Sequence, residues 1–267
     1  EAYARIDRSA MGTTVLNGTS WPLNRARMAD YLGFAAIVDN ARHQKSLVLV
    51  EDVENAAACK KRYGFDTIYK YCLLARPDQD PTVVLLGDSH AYHVVAGLTR
   101  YYSSRGENLL MLATRHPYWG LDPGADPYQQ ATQGMLEQAM NTASIKTVVI
   151  STHLRLDDSS PEARVIHLAA RDTIRRFTEA GKHVILMEDV PILSFDPRAC
   201  IKRAGIASSA TRAPCAMPRA EVDQQTPRND ILVTGLLREF PTVELFRTRE
   251  LMCDARLCWA MKDGNLL

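Results

Sequence analysis

Short apolar runs alternate with amphipathic stretches from about residue 59 onward. Residues 82–86 and Thr147–Ser151 are continuously apolar and rich in β-branched side chains, which is typical of strands buried on both faces of a parallel sheet. Residues 108–113, His183–Met187 and residues 243–246 are further runs of strand length. The pattern therefore predicts a parallel sheet of about five strands.

Stretches with helical spacing separate these runs. Residues 91–102, 128–141 and 161–180 have apolar positions three and four apart, and residues 219–239 contain a further helix. Pro161 is placed to start its helix and Gly181 to end it. Strands that alternate with helices indicate the α/β class, with a parallel sheet covered by helices on both faces.

Residues 1–58 lack this regularity and are interpreted as an irregular N-terminal extension that packs on the main domain. Within it, residues 34–38 and 46–50 have the composition of short strands. The main domain is expected to span residues 59–267. Residues 189–218 are expected to form a loop at the rim of the site, stapled by a disulfide.

Composition excludes some partners. The apolar fraction of 46% and the charged fraction of 24% are ordinary for a globular protein, and a net charge of +1 gives no electrostatic basis for nucleic-acid binding. No apolar run reaches the roughly 18 residues that a bilayer-spanning helix needs. Residue 1 is Glu and no signal peptide precedes it, so we expect a mature chain or a domain excised from a longer one.

Six cysteines fall into three local pairs, and nearest-neighbour pairing is the simplest arrangement. No pair has C-x-x-C spacing and no histidine lies at zinc-finger spacing, so no metal site is expected. Free buried cysteines in a cytosolic enzyme are the alternative, but an even count in local pairs favours an oxidising compartment. The predicted disulfides are Cys59–Cys72, Cys200–Cys215 and Cys253–Cys258.

Gly87-Asp88-Ser89-His90 follows the first strong strand and opens the next helix. Gly87 permits a tight turn that a side chain would obstruct. Ser89 would then lie at the helix N-terminus, where its own N–H and the positive end of the helix dipole can face a developing oxyanion. The alternative is an ordinary serine or aspartate cap. The strand–turn–helix context favours a serine nucleophile, with Asp88 and His90 lining its site.

The run from Val83 to Ala91 resembles the first block of the SGNH (GDSL-type) hydrolase superfamily. With histidine after the serine and cysteines at positions 72, 200, 253 and 258, it is similar to the periplasmic SGNH domain fused to acyltransferase family three (AT3) membrane proteins, which O-acetylate bacterial surface polysaccharides. The resemblance implies a flavodoxin-like three-layer fold and a periplasmic domain of an inner-membrane protein. It also implies a polysaccharide acceptor, no cofactor, and an acetyl donor delivered through the membrane domain of the same parent chain.

Two features depart from that family. Its catalytic Asp-x-x-His would follow a segment such as residues 259–267, where this sequence stops, and no histidine follows His183. We therefore expect a truncation before the general base, and impaired catalysis. The Gly and Asn that usually complete the oxyanion hole of SGNH enzymes are also missing. Arg115, His116 and His153 are candidates to replace them, and the alternative for each is an ordinary surface residue.

Other candidates are weaker. His90 and His93 lie within one turn of the serine on its own helix, which favours packing or rim positions over a role as base. Tyr118, Trp119 and Trp259 are equally consistent with sugar stacking and with core packing.

Three functions remain open. The first is an O-acetyltransferase that moves an acetyl group to a sugar hydroxyl of a surface polysaccharide such as lipopolysaccharide O-antigen. The second is a carbohydrate acetyl-esterase with the same chemistry, in which water replaces the sugar. The third is a non-catalytic carbohydrate-binding scaffold that has kept the fold.

Overall fold

The computed structural model describes residues 13–16, 19–22, 52–64, 71–121, 124, 126–153, 161–195, 215–225, 227–262 and 265–266. The chain divides into two compact units. The larger unit comprises residues 48–192 and 218–258, and it contains the main sheet. The other unit comprises residues 1–47, 193–217 and 259–267.

The elements follow one another as the alternating pattern predicts. The strands are β1 (Thr13–Leu16), β2 (Thr19–Pro22), β3 (Tyr71–Leu74), β4 (Val83–Gly87), β5 (Leu109–Ala113), β6 (Thr147–Ser151), β7 (His183–Met187), β8 (Ala216–Pro218), β9 (Glu244–Phe246), β10 (Leu257–Trp259), β11 (Met261–Lys262) and β12 (Asn265–Leu266). The helices are α1 (Asp52–Tyr63), α2 (Ser89–Ser103), α3 (Pro127–Asn141), α4 (Pro161–Glu179), α5 (Arg219–Gln225), α6 (Pro227–Glu239) and α7 (Thr248–Met252).

Six strands form one mixed sheet in the order β3-β5-β4-β6-β7-β9. Five of these strands run parallel to one another, namely β5, β4, β6, β7 and β9. The sixth, β3, pairs antiparallel with β5 at the edge of the sheet. The register places Gly87 opposite both Ala113 and Ser151. Because three neighbouring strands end at one level, the turns that follow them meet at the carboxyl edge of the sheet.

Alternating side chains of β4 enter two separate cores. Val84 and Leu86 belong to a cluster that includes Phe177 of α4 and Leu136 of α3, whereas Val83 packs on the other face with residues of α2. Strand side chains alternate between the two faces of a sheet, so a strand buried on both faces must be apolar throughout. The result is the three-layer α/β fold that the sequence predicts.

Local signals determine where the helices begin and end. Asp126 caps α3 by accepting a hydrogen bond from the backbone N–H of Tyr128, and Pro127 occupies the first turn. Gly181 follows α4 with φ of 71°, a left-handed conformation that glycine adopts without strain. No helix within the described ranges combines the length and apolar character needed to cross a bilayer.

The predicted disulfides can be followed for the described residues. Cys59–Cys72 joins α1 to β3, and Cys253–Cys258 closes a short loop after α7. Both pairs confirm the nearest-neighbour prediction. Cys215 is disulfide-bonded, but its predicted partner Cys200 lies outside the described residues.

Some expectations need correction. The sheet has six strands rather than about five, because the short run Tyr71–Leu74 adds an antiparallel edge, and it is therefore mixed. Helix α1 lies largely in the stretch interpreted as irregular. The helical signal of residues 219–239 divides into two helices, the second of which begins at Pro227, where the ring favours a helix start. The strands expected at 34–38 and 46–50 lie outside the described residues.

Candidate active site

Ser89 is the first residue of α2 and lies two positions beyond the end of β4. It is exposed at the carboxyl edge of the sheet, whereas the strand before it is entirely buried. Within the described part of the chain, no hydrogen bond engages its hydroxyl. The hydroxyl is therefore accessible to a substrate beside the positive end of a helix.

Gly87 is required by close packing and not by an unusual backbone angle. A Cβ atom at this position would lie 1.7 Å from the carbonyl oxygen of Ser151 and 2.9 Å from Cβ of Ala91. Strand β6 and helix α2 both approach the turn so closely that no side chain fits. This approach brings the serine and the residues that follow β6 to the same place.

Asp88 connects the serine turn to the residues after β6. Its Oδ1 atom accepts the backbone N–H of His90 at 2.8 Å, which caps α2. Its Oδ2 atom accepts the Thr152 hydroxyl at 2.8 Å and the backbone N–H of His153 at 2.9 Å. One carboxylate therefore sets the position of His153 relative to Ser89.

A cleft of about 560 Å³ opens beside the serine. It is lined by residues from the turns after β4, β5 and β6, together with two tyrosines, namely Tyr71, Asp88, Ser89, His90, Thr114, Arg115, His116, Tyr128 and His153. The site-lining candidates that the sequence predicts all belong to this lining except Gly87, which ends β4 two residues before the serine. Tyr71, Thr114 and Tyr128 are additional wall residues that the sequence analysis did not single out.

His116 reaches Asp88 through a hydroxyl. Its Nδ1 atom lies 3.3 Å from Oγ1 of Thr152, and that hydroxyl donates to Asp88. Because the Thr152 proton is directed at the carboxylate, Nδ1 of His116 is the donor to the threonine oxygen. His116 is thus part of the hydrogen-bonded wall and not an isolated surface residue.

Asp189 lies two residues after β7 and contacts two histidines of the wall. Its Oδ1 atom accepts from Nδ1 of His90 at 2.7 Å. Its Oδ2 atom lies 3.2 Å from Nδ1 of His153, an ion-pair distance without hydrogen-bond geometry. The two imidazole rings lie 4.7 Å apart. Sequence analysis missed Asp189, and its position directly after a predicted strand is the signal that could have identified it.

The charge state of Asp189 follows from its surroundings. Burial acts to raise the pKa of its carboxyl, but the hydrogen bond and positive charge of His90, with help from the Val190 N–H and His153, lower the pKa below its usual value. The carboxylate is therefore ionised at neutral pH, although its side chain is only 13% exposed.

The same three residues form the one group in the described ranges that could hold a metal ion. Nitrogen and oxygen atoms of His90, His153 and Asp189 lie within 4.8 Å of one another. Two ligands on one tetrahedral zinc are separated by about 3.3 Å, given bond lengths near 2.0 Å. The 2.7 Å contact between His90 and Asp189 is shorter and matches a charge-assisted hydrogen bond. The geometry thus favours a hydrogen bond between His90 and Asp189 over a metal ion that both would bind.

Aromatic and charged groups also line the cleft. Arg115 pairs with Asp126 at 3.2 Å, and its guanidinium lies 5.3 Å from the centre of the Tyr128 ring. Tyr71 contacts Tyr92, with ring centroids 4.9 Å apart. Aromatic faces of this kind suit the apolar faces of a sugar ring.

The aromatic residues singled out from the sequence lie elsewhere. Tyr118 and Trp119 are buried in the core, and the Trp119 ring packs 5.1 Å from that of Phe177. Burial raises the pKa of the Tyr118 hydroxyl well above its usual value, with a smaller contribution from the charge of Asp88. Core packing is therefore the correct interpretation for both. Trp259 is half-buried, and His93 is exposed outside the cleft lining.

The fold and the arrangement of this site define an SGNH-type domain. A family model described as "SGNH domain (fused to AT3 domains)" matches residues 53–267, so the chain belongs to the SGNH domains that are fused to AT3 domains. A solved structure of similar fold is the periplasmic domain of the lipopolysaccharide acetyltransferase of Salmonella ser. Paratyphi A. The TM-score is 0.50 at 16% identity, covering 70% of this chain and 73% of that one. A search of curated protein sequences found no match.

Proposed function

We propose that this chain is a serine-dependent O-acetyltransferase domain that acts on a sugar hydroxyl of a bacterial surface polysaccharide. The observation that carries the proposal is Ser89, exposed at a helix N-terminus in a cleft whose wall contains three histidines. The family context supports it, because its members are fused to acyltransferase domains. The lipopolysaccharide acetyltransferase of similar fold supports a surface polysaccharide as the acceptor.

The reaction would proceed through an acetyl-serine. The Ser89 oxygen attacks the acetyl carbonyl, and negative charge develops on the carbonyl oxygen next to the N-terminus of α2. The bond between the acetyl carbon and the donor then breaks, and the donor leaves with the proton that the serine hydroxyl gave up. A sugar hydroxyl next attacks the acetyl carbon, the bond to the serine oxygen breaks, and the proton of the sugar hydroxyl returns to that oxygen. Among the oxyanion candidates, Arg115 is paired with Asp126 and Nδ1 of His116 donates to Thr152. His153 is therefore our candidate for the side chain that completes the oxyanion site.

The proposal places the domain in the periplasm, next to an integral-membrane acyltransferase domain of the same parent chain. The two disulfides support an oxidising compartment. No cofactor is needed if the membrane domain delivers the acetyl group, since serine chemistry requires only a nucleophile, a base and an oxyanion site.

An esterase of the same chemistry is the second candidate. Ser89 is exposed, so water can reach an acetyl group bound there as readily as a sugar can. Product analysis separates the two functions. A transferase acetylates added polysaccharide faster than it releases acetate, whereas an esterase releases acetate at a rate that does not depend on the acceptor.

Acetyl trapping tests the nucleophile. The intact natural polypeptide is incubated with an activated acetyl ester, quenched in acid and mapped by mass spectrometry. We expect one acetyl group on Ser89, and its loss in Ser89→Ala. Ser104→Ala is the matched control, because this serine is exposed just beyond the other end of α2 and its hydroxyl donates a hydrogen bond to the Tyr101 carbonyl. Full activity of Ser89→Ala would exclude a serine mechanism at this position, whereas absence of acetylation and of activity in the unaltered protein would favour the scaffold function.

A further inference from the structure

Arg115 keeps hydrogen-bond donors for a ligand of the cleft. It lines the same cleft as Ser89, and its side chain is about half exposed. Its Nε atom donates to Oδ2 of Asp126 at 3.2 Å. Among the residues that the structure describes, no acceptor engages the two terminal nitrogens, Nη1 and Nη2. Because every guanidinium nitrogen carries N–H groups and none can accept, these terminal groups can bind only an acceptor.

The guanidinium is held in place from helix α3. Asp126, which binds Nε, is itself fixed by capping this helix, since its Oδ1 atom accepts the backbone N–H of Tyr128 at 2.9 Å. The ring of Tyr128 lies 5.3 Å from the guanidinium carbon. A guanidinium that is already stacked and held at Nε loses less conformational freedom when a ligand binds its other end. The arginine is therefore prepared for binding before a ligand arrives.

The other charges near the serine are already engaged. Asp88 accepts three hydrogen bonds from protein groups, and Asp189 contacts two histidines. Arg115 differs, because its terminal donors face no acceptor of the described protein. A planar fork of N–H groups matches the two oxygens of a carboxylate. Since Asp126 already balances part of the arginine's charge, a singly charged carboxylate suits this site better than a phosphate dianion.

The surroundings of Arg115 suit a sugar that bears such a group. Tyr71 and Tyr128 line the same cleft, and aromatic rings can pack against the apolar face of a sugar. The cleft volume of about 560 Å³ is within the range of ~300–1,000 Å³ that small-molecule sites usually have. One cleft thus combines the nucleophile, aromatic surface and a carboxylate-binding fork. A uronic acid, which is a sugar with a carboxylate, presents the matching groups.

We propose that Arg115 binds the carboxylate of a uronic acid in the acceptor, so that this domain prefers an acidic surface polysaccharide to a neutral one. Arg115 is then a specificity-determining residue and not part of the chemistry at Ser89. This inference rests on the proposed function and names the class of its acceptor. The structural alternative is that Arg115 only ties the turn after β5 to helix α3 through Asp126.

Equilibrium binding of two matched sugars tests the preference without any assay of activity. The probes are trigalacturonate and its carboxyl-reduced form, a galactose trisaccharide with the same linkages and no charge. We expect the intact natural polypeptide to bind the acidic trisaccharide about 10-fold more tightly, which is typical of a charge-assisted hydrogen bond. The preference should weaken as salt is added, because a half-exposed charge is screened. Binding of neither probe, or equal binding of both, would overturn the proposal.

Variants of Arg115 assign the preference to this side chain. Arg115→Gln should abolish the preference and leave binding of the neutral trisaccharide unchanged, whereas Arg115→Lys, which keeps the charge without the fork, should retain part of it. Equal losses for both trisaccharides in Arg115→Gln would instead indicate the purely structural role. A preference that survives in Arg115→Gln would assign it to another residue and overturn the proposal.

Arg105→Gln is the matched control. Arg105 is exposed, donates to the Tyr101 hydroxyl at 2.8 Å and lies 4.9 Å from the centre of that ring, so it is also an arginine beside a tyrosine. It does not line the cleft. Arg105→Gln removes the same charge from the protein and should keep the full preference. A preference lost equally in both glutamine variants would reflect the overall charge of the protein and overturn the assignment.

Two further measurements separate the possible explanations. Inorganic phosphate is the probe for a site that accepts any anion, and competition by phosphate at the concentrations at which trigalacturonate binds would overturn recognition of an acidic sugar. Acetyl trapping on Ser89 tests the proposed function independently. If acetyl-Ser89 never forms, the proposed function fails whatever the binding preference. If acetyl-Ser89 forms but the acidic trisaccharide is not preferred, only this inference fails.

Discussion

Asp88 accepts a 2.9 Å hydrogen bond from the backbone N–H of His153, 65 residues further along the chain. The same side chain caps the helix that begins at Ser89. The serine and the wall of its cleft are thus positioned by one carboxylate, which joins two turns that follow neighbouring parallel strands.

Replacing Asp88 should therefore cost more than the loss of a helix cap. Asp88→Ala removes the cap and leaves the His153 N–H and the Thr152 hydroxyl without their acceptor, so we expect a loss of about 3 kcal/mol in the free energy of unfolding. Asp126→Ala, which removes the cap of α3, should cost about 1 kcal/mol. Urea unfolding of both variants measures the difference. Equal losses would contradict the role of Asp88 as a link between two turns.

Gly87 is predicted to tolerate no side chain. In Gly87→Ala the new methyl group overlaps the Ser151 carbonyl, a backbone atom that moves only with β6, so we expect a destabilisation of about 3 kcal/mol. Gly97→Ala, in the helix α2 that follows the turn, is the control. It has open space around it and should stabilise the protein by about 0.5 kcal/mol, because alanine is the better helix former. Thermal unfolding that ranks the two variants in the reverse order would contradict this steric account.

The two described disulfides should contribute different amounts to the free energy of unfolding. The disulfide Cys59–Cys72 joins residues with a sequence separation of 13, whereas Cys253–Cys258 joins residues with a separation of 5. A longer loop removes more entropy from the unfolded chain, so the double serine variant of the first pair should lose about 1 kcal/mol more than that of the second. Chemical denaturation measures both losses. A larger loss for the short loop would show that native packing, and not loop length, dominates.

Asp189 gives a defined pH dependence of stability. Because the pKa of its carboxyl is lowered in the folded state, the ionised group stabilises the fold above the ordinary aspartate value of about 3.9, and this contribution is lost as the pH falls through the lower folded value. At neutral pH Asp189→Asn should therefore be less stable by about 2 kcal/mol, the value of a hydrogen bond to a charged group. The difference in the free energy of unfolding between the two proteins should disappear in acid. A difference that persists in acid would mean that the charge of Asp189 is not the source of the stabilisation.

Tyr71 should contribute to acceptor binding. It lines the cleft and packs against Tyr92. Tyr71→Ala should raise the KM for a polysaccharide acceptor by about 5-fold, which corresponds to the loss of roughly 1 kcal/mol of aromatic contact, while acetyl-Ser89 forms at the normal rate. Tyr101→Ala serves as the control, since this exposed tyrosine on α2 does not line the cleft. An unchanged KM in Tyr71→Ala would remove the aromatic surface from the acceptor site.

The sequence by itself determined the fold class, the position of the serine and the pairing of two disulfides. Strands such as Thr147–Ser151 could be identified because burial on both faces demands an unbroken apolar run, and the Gly87–His90 turn could be placed because caps and tight turns depend on adjacent residues. The edge strand β3 escaped prediction because a four-residue run carries too little periodicity to distinguish it from a loop.

The tertiary structure alone decided which side chains meet at the serine. Asp189 is 99 residues from His90, and only the order of strands β4, β6 and β7 brings the turns that follow them to one edge. It likewise decided that Tyr118 and Trp119 belong to the core while Tyr71 faces the cleft. Sequence patterns report which residues are buried and where the chain turns, since these depend on near neighbours. The contacts of a carboxylate with a distant histidine depend on strand order and sheet register, which no local pattern contains.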